Sequence, residues 1–161
     1  MSITSERISM EPLTPSLARR ILARDERPGD AWHPEYPLAD ELGPLRNLAA
    51  SPADASGFTM YLIRRNSDGL AVGGFGFFGP PDADGCVEFG YGLVPAARGA
   101  GLATEAVQAA LVFAGANGAS RARADTTIAN TESQRVLEKA GLSESRRTDS
   151  TIYYERELSA R

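Results

Sequence analysis

Apolar and polar residues alternate through "ERISMEPLT", where Ile8 and Met10 sit between polar neighbours at the period of a half-buried strand. Thr14 and Pro15 then supply a cap and a first-turn proline for a helix carrying Leu17, Ile21 and Leu22. The pattern breaks in "DERPGDAWHPEYPLADE". Three prolines and a glycine exclude a continuous helix or central strand there, while Trp32 and Tyr36 bring large apolar groups, which predicts an ordered loop. A short helix over about residues 40–50 turns Leu42, Leu45 and Leu48 inward. "GFTMYLIRR" and "LAVGGFGFF" flank the turn "NSDG" and read as a hairpin; a second turn, "GPPDADG", leads into the strand "CVEFGYGLV". These three strands are expected to pair antiparallel in sequence order. From Gly101 onward, Ala103, Ala106, Val107, Ala110, Leu111 and Ala114 share one helical face. "RARADTTI" reads as a strand, "NTESQRVLEKAGL" as a helix closed by Gly141, and "SESRRT" with "TIYYEREL" as a hairpin turning at Asp149 and Ser150. The predicted order is β, α, α, β, β, β, α, β, α, β, β, without internal repeats.

A chain of 161 residues, 42% hydrophobic and 24% charged, has the size and composition of one globular domain, expected to span residues 1–161. Its net charge of −4 gives none of the basic footprint with which nucleic-acid binders neutralise phosphates. One cysteine, Cys86, forms no internal disulfide, and with the lone His33 it does not make up a usual Cys and His zinc site, so no metal is expected. "MSITSERISM" lacks the basic start and apolar core of a signal peptide, and no apolar run approaches the ~18 residues of a membrane span. No membrane partner and a cytoplasmic location are the expectation.

Two glycine-rich stretches carry the candidate chemistry. "GFGFFG", Gly74 to Gly79, has dinucleotide-loop spacing, but Pro80 and Pro81 follow it inside a hairpin where that loop requires a helix. It reads instead as a strand over which something flat or bulky lies. "ARGAGLATEA", Ala97 to Ala106, does stand between a strand and the longest helix, where unpartnered amides and the helix dipole favour an anion. Leu102 occupies the place where a nucleoside-triphosphate loop carries lysine, so the loop suits a phosphate that is held and not cleaved.

Arg98, Gly101 and Ala103 match the arginine, glycine and small-residue signature of the GNAT acyltransferases. "VEFGYGLVPAARGAGLATEA" resembles the strand, loop and helix unit of the RimJ and RimL branch of that superfamily, and "NTESQRVLEKAGL" resembles its second cofactor segment. The resemblance implies an α/β fold with a mixed, mostly antiparallel sheet of about seven strands, about four helices and two central strands that splay apart. It implies acetyl-CoA as co-substrate, its pyrophosphate on the amides of Arg98, Gly99, Ala100, Gly101, Leu102, Ala103 and Thr104, and its pantetheine arm beside Leu93 and Val94. The backbone amide near Leu93 would polarise the thioester carbonyl. Asn130 and Ser133 fall where relatives touch the pantetheine near the sulfur; Asn130 is equally a helix N-cap, and Arg98 equally a solvated loop residue. Leu137 stands where many members carry a proton-donating tyrosine, which makes Ser133 the candidate donor. Glu88 is the candidate base, directly or through a water, with His33 as a second choice and an ordinary exposed strand carboxylate as the plain reading of Glu88. Trp32, His33 and Tyr36 lie in the loop that walls the acceptor pocket in this superfamily, beside Asp30 and Glu35, which suit a cationic amine; the aromatics equally serve to plug the core. The implied function is direct acetyl transfer to a primary amine, either a small molecule or a protein N-terminus. The alternative is an acyl-CoA-binding sensor without turnover. Homodimers are frequent among relatives.

Overall fold

A computed structural model describes residues 2–52 and 56–159. Its frame is an eight-stranded sheet in the order β1-β2-β3-β4-β5-β6-β8-β7. The strands are β1 (Ile3–Thr4), β2 (Ile8–Pro12), β3 (Met60–Arg65), β4 (Ala71–Phe77), β5 (Cys86–Leu93), β6 (Arg121–Thr127), β7 (Ser143–Arg147) and β8 (Thr151–Glu157). The helices are α1 (Pro15–Leu22), α2 (Leu42–Ala49), α3 (Leu102–Ala116) and α4 (Thr131–Lys139). The predicted order holds, with β1 as an additional short edge strand pairing Ile3 with Met10. Thr14 caps α1 by accepting a hydrogen bond from the Leu17 amide, and Gly141 takes positive φ just past α4, as their positions in the sequence predict.

Strands β2 to β5 pair antiparallel in sequence order; short turns join β3 to β4 and β4 to β5, while α1 and α2 lie between β2 and β3. β5 and β6 run parallel, and α3 supplies the crossover that parallel pairing needs. Their pairing covers only Cys86↔Arg121, Val87↔Ala122 and Glu88↔Arg123. Beyond it β5 stays with β4 and β6 with β8, so the two halves of the sheet separate at the C-terminal end of β5. That is the expected splay.

Alternation sorts the two faces. On one, Phe75, Phe77 and Phe89 form ring contacts, continued by Phe58 and by Phe113 of α3. On the other, the cross-strand pairs Gly74↔Gly92 and Gly76↔Gly90 leave four positions without side chains, and the segment entering α2 descends on them. A Cβ at Gly74 would lie 2.9 Å from Glu41 Oε2, and one at Gly92 would lie 2.9 Å from Leu38 Cδ1. Among the described residues, no helix is long and apolar enough to cross a membrane.

Candidate functional site

The splay exposes one backbone edge of β5. Phe78 donates to the Glu88 carbonyl and the Val94 amide donates to Val72, so residues of that parity face β4. By the alternation of an antiparallel ladder, the backbone groups of Tyr91 and Leu93 turn the other way, into the gap beside β6. A groove of about 410 Å³ opens here, lined by Leu93, Arg98, Gly99, the first residues of α3, and Asn130 and Ser133 from the start of α4. The loop that enters α3 needs glycine at two points: Gly99 and Gly101 have φ of +87° and +82°. The first backbone bond of α3 runs from the Glu105 amide to the Gly101 carbonyl, and no side chain caps the helix. The amides of Leu102, Ala103 and Thr104 therefore precede the ladder and line the groove, a cradle for an anion.

Two arginines hold this loop. Arg98, an exposed residue, donates from Nε to the Leu93 carbonyl at 2.9 Å, which ties its guanidinium to the end of β5. Arg7, just before β2, donates to the Ala100 carbonyl at 2.7 Å and pairs with Glu105 of α3 at 2.7 Å. Sequence reasoning missed Arg7, because its partners lie more than ninety residues away.

Asn130 caps α4, its Oδ1 accepting from the Ser133 amide at 3.1 Å, and its side of the cap faces the groove. The Ser133 hydroxyl lies 2.8 Å from the phenolic oxygen of Tyr91, which also reaches the Ser133 carbonyl at 3.3 Å. Tyr91 was not among the residues singled out in the sequence. Burial pushes its hydroxyl up to about 12, partly offset by the Ser133 hydrogen bond, so the phenol stays protonated across the neutral range. Leu137, at the position where a tyrosine was looked for, is fully buried in the core.

A second, larger cavity of about 970 Å³ lies on the glycine face and meets the groove at Leu38, Asp40, Tyr91 and Gly92. Gly74, Gly76, Gly90 and Gly92 form its floor, and Leu48, Met60 and the exposed ring of Phe78 belong to its walls. Glu41 lines it too. Only 8% of Glu41 is exposed, and neither carboxyl oxygen has a hydrogen-bond partner among the described residues. Burial, with a smaller effect from the neighbouring Asp40, pushes its carboxyl up from 4.5 to about 8. A folded-state value above the unfolded one stabilises the fold below the unfolded value, and that contribution is lost as pH rises through about 8. Melting temperatures measured from pH 5 to pH 9 should therefore decline less steeply for Glu41→Gln than for the wild type. Glu41 is in helical register with Leu45 and Leu48, and this was the signal available in the sequence.

Other predicted residues lie outside both cavities. Glu88 is exposed on the sheet and pairs with Arg123 at 2.7 Å, where β5 and β6 are still joined. Trp32 and Tyr36 are 9% and 2% exposed and pack in the core; the Trp32 segment lies along the start of β4, the His33 amide donating to Ala71. The His33 Nδ1 accepts from the Glu35 amide at 3.0 Å. The wall of the cavity is thus the following segment, from Leu38 to Leu48, and the aromatics before it serve as core plugs. Val94 is fully buried behind Leu93. The buried Cys86 thiol is pushed up by desolvation, as a packed apolar group would be.

Comparison with known proteins agrees with this architecture. The family model for the acetyltransferase (GNAT) domain matches residues 7–143. An N-acetyltransferase of Bacillus subtilis strain 168, YjdG, is 32% identical over 111 residues, spanning 66% of each chain. A GNAT-family acetyltransferase from Bacillus anthracis superposes with a TM-score of 0.71 at 20% identity, over 98% of both chains. RimL, a ribosomal L7/L12 alpha-N-protein acetyltransferase solved in complex with coenzyme A, superposes with a TM-score of 0.70 at 16% identity over the whole of both chains. At these identities the two superpositions show a shared fold.

Proposed function

This chain belongs to the GNAT acetyltransferase family and is an acyltransferase, and we propose that it moves acetyl from acetyl-CoA directly to a primary amine held in the glycine-floored cavity. The observation that carries this reading is the junction of the two cavities at Leu38, Asp40, Tyr91 and Gly92, which lets a donor in one groove meet an acceptor in the other. Bound acetyl-CoA supplies an acetyl group on a thiolate leaving group. The residues present fit it: a loop with two positive-φ glycines, the open space beside Gly99, and helix amides ahead of the backbone ladder suit its pyrophosphate. The outward-turned backbone of Tyr91 and Leu93 suits an extended amide-bearing arm, and the Leu93 amide is placed to polarise the carbonyl at its end. Asn130 holds the arm from the α4 side. Tyr91, paired with Ser133, presents a protonated hydroxyl at the junction and gives its proton to the departing sulfur. Positioning both reactants supplies much of the rate, worth ~7–11 kcal/mol in well-oriented reactions.

Thiol release from acetyl-CoA across a panel of amines tests the reading. Release with at least one amine is expected; calorimetric binding of acetyl-CoA with no release on any amine would instead establish a sensor. Gly101→Val places a branched side chain in the left-handed region, with its Cβ 3.3 Å from Arg7, and should distort the cradle. Left-handed backbone costs a side chain ~1–2 kcal/mol, so acetyl-CoA affinity is expected to weaken about tenfold by calorimetry. Wild-type affinity in Gly101→Val would remove the loop from the donor site.

A further inference from the structure

The floor of the larger cavity is a two-by-two patch of glycines in register, Gly74 opposite Gly92 and Gly76 opposite Gly90. The absence of side chains here lets Glu41, Leu38, Phe78 and Met60 come down onto the strands, so these four side chains and not the bare sheet bound the cavity above the glycines. The Phe78 ring comes down over Gly90, a Cβ there falling 3.0 Å from its Cζ, yet 66% of Phe78 is exposed. An exposed aromatic ring beside an apolar floor is a stacking partner waiting for a second ring. Leu48 and Met60 continue the apolar wall.

The ionisable carboxyl groups lining this cavity, Asp40 and Glu41, are unmatched by any base: no Lys, Arg or His lines it among the described residues. Glu41 lies over Gly74, the direct cross-strand partner of Gly92, so its carboxyl sits about one strand spacing, ~5 Å, from the point where the two cavities meet. Both of its oxygens are buried without a partner, an arrangement that costs stability unless a ligand completes it. Asp40 acts on Glu41, and Glu41 in turn acts on Tyr36, whose hydroxyl has no hydrogen-bond partner among the described residues and which Arg64 also influences.

From this geometry we propose that the acceptor is a primary amine on a flat, apolar, aromatic body lacking a carboxylate, and that Glu41 receives its ammonium and takes its first proton. The inference rests on the acetyltransferase reading above. The aromatic body lies in the cavity against Phe78, Leu48 and Met60, and the ammonium meets Glu41, whose charged form an opposite charge favours. Proton loss to Glu41 frees the nitrogen lone pair. The C–N bond then forms as the C–S bond breaks. Tyr91 gives its proton to sulfur and is restored by the second proton of the nitrogen, while Glu41 returns the first to solvent. A carboxylate on the acceptor is repelled by Asp40, and a long polyamine leaves its inner charges against an apolar wall.

The test uses 2-phenylethylamine, phenylalanine, spermidine and a peptide with a free amino terminus as acceptors for the full chain. Phenylethylamine should be acetylated with a kcat/KM at least tenfold above each of the others, and it should raise the melting temperature of the wild type. Glu41→Gln should lower kcat/KM for phenylethylamine about 30-fold and abolish that thermal shift, with acetyl-CoA affinity unchanged. Phe78→Ala alters an exposed side chain and threatens no core packing; it should raise KM for phenylethylamine severalfold with little change in kcat. Acetylation of spermidine or the peptide in preference to phenylethylamine, or a fully active Glu41→Gln, would overturn the inference and leave the acetyltransferase reading intact. Acetyl-CoA binding without release on any acceptor would overturn both.

Discussion

Tyr91→Phe is expected to lower kcat by about 100-fold, the lower end of what a positioned proton donor contributes, while acetyl-CoA affinity stays within about twofold. The substitution removes one oxygen and keeps the ring, so the wall shared by the two cavities remains in place. What disappears is the hydroxyl that pairs with Ser133 of α4 at 2.8 Å. With that hydroxyl pushed up to about 12, the group is fully protonated below pH 10 and can deliver a proton without a separate uptake step. The loss should therefore appear in kcat and hardly in KM. Ser133→Ala, which spares the phenol and its bond to the Ser133 carbonyl, should cost much less. Leu137→Tyr should not rescue Tyr91→Phe, because position 137 is sealed in the core. Steady-state kinetics over pH 6–9 decide the matter: a Tyr91→Phe enzyme with wild-type kcat would show that sulfur leaves unassisted.

The contrast between Leu137 and Tyr91 shows what the sequence made legible. Helix α4, its cap at Asn130 and its stop at Gly141 follow from local rules, since a cap and its amide lie three residues apart. Likewise the anion loop follows from a strand, two glycines and a helix that are contiguous in the chain. The pairing of Tyr91 with Ser133 does not. It depends on the splay, which brings position 91 of one strand against position 133 of a helix that begins forty residues later. The partner of Glu88 is hidden for the same kind of reason: Glu88 falls in the short stretch where β5 and β6 still pair, and it meets Arg123, the third residue of β6. Trp32 and Tyr36 announce burial but not what they are buried against. The neighbouring Glu41, apparently an ordinary acidic residue at a helix entry, becomes unusual only once Gly74 is known to lie beneath it.

Gly73→Ala is expected to destabilise the fold by ~3 kcal/mol, at the upper end of ordinary overpacking. In a chain of this size that is a fall of about 6–12 °C in melting temperature. A methyl at Gly73 would lie 2.2 Å from the Gly92 carbonyl oxygen and 3.1 Å from the Leu93 Cα, both backbone atoms of β5 that no rotamer change can withdraw. Relief requires β5 to move away from β4 at the point where Gly73 pairs with Leu93. That movement shifts Gly92 beneath the larger cavity and the Leu93 amide at the edge of the groove, so turnover should fall even at temperatures where the protein remains folded. Gly76→Ala is the matched control, because its methyl meets only Met60 Cγ at 3.5 Å, an ordinary contact. It should melt within about 2 °C of the wild type, as a sterically tolerated substitution would. If Gly73→Ala melts with Gly76→Ala, the close approach of β4 to β5 is not what fixes the junction of the two cavities.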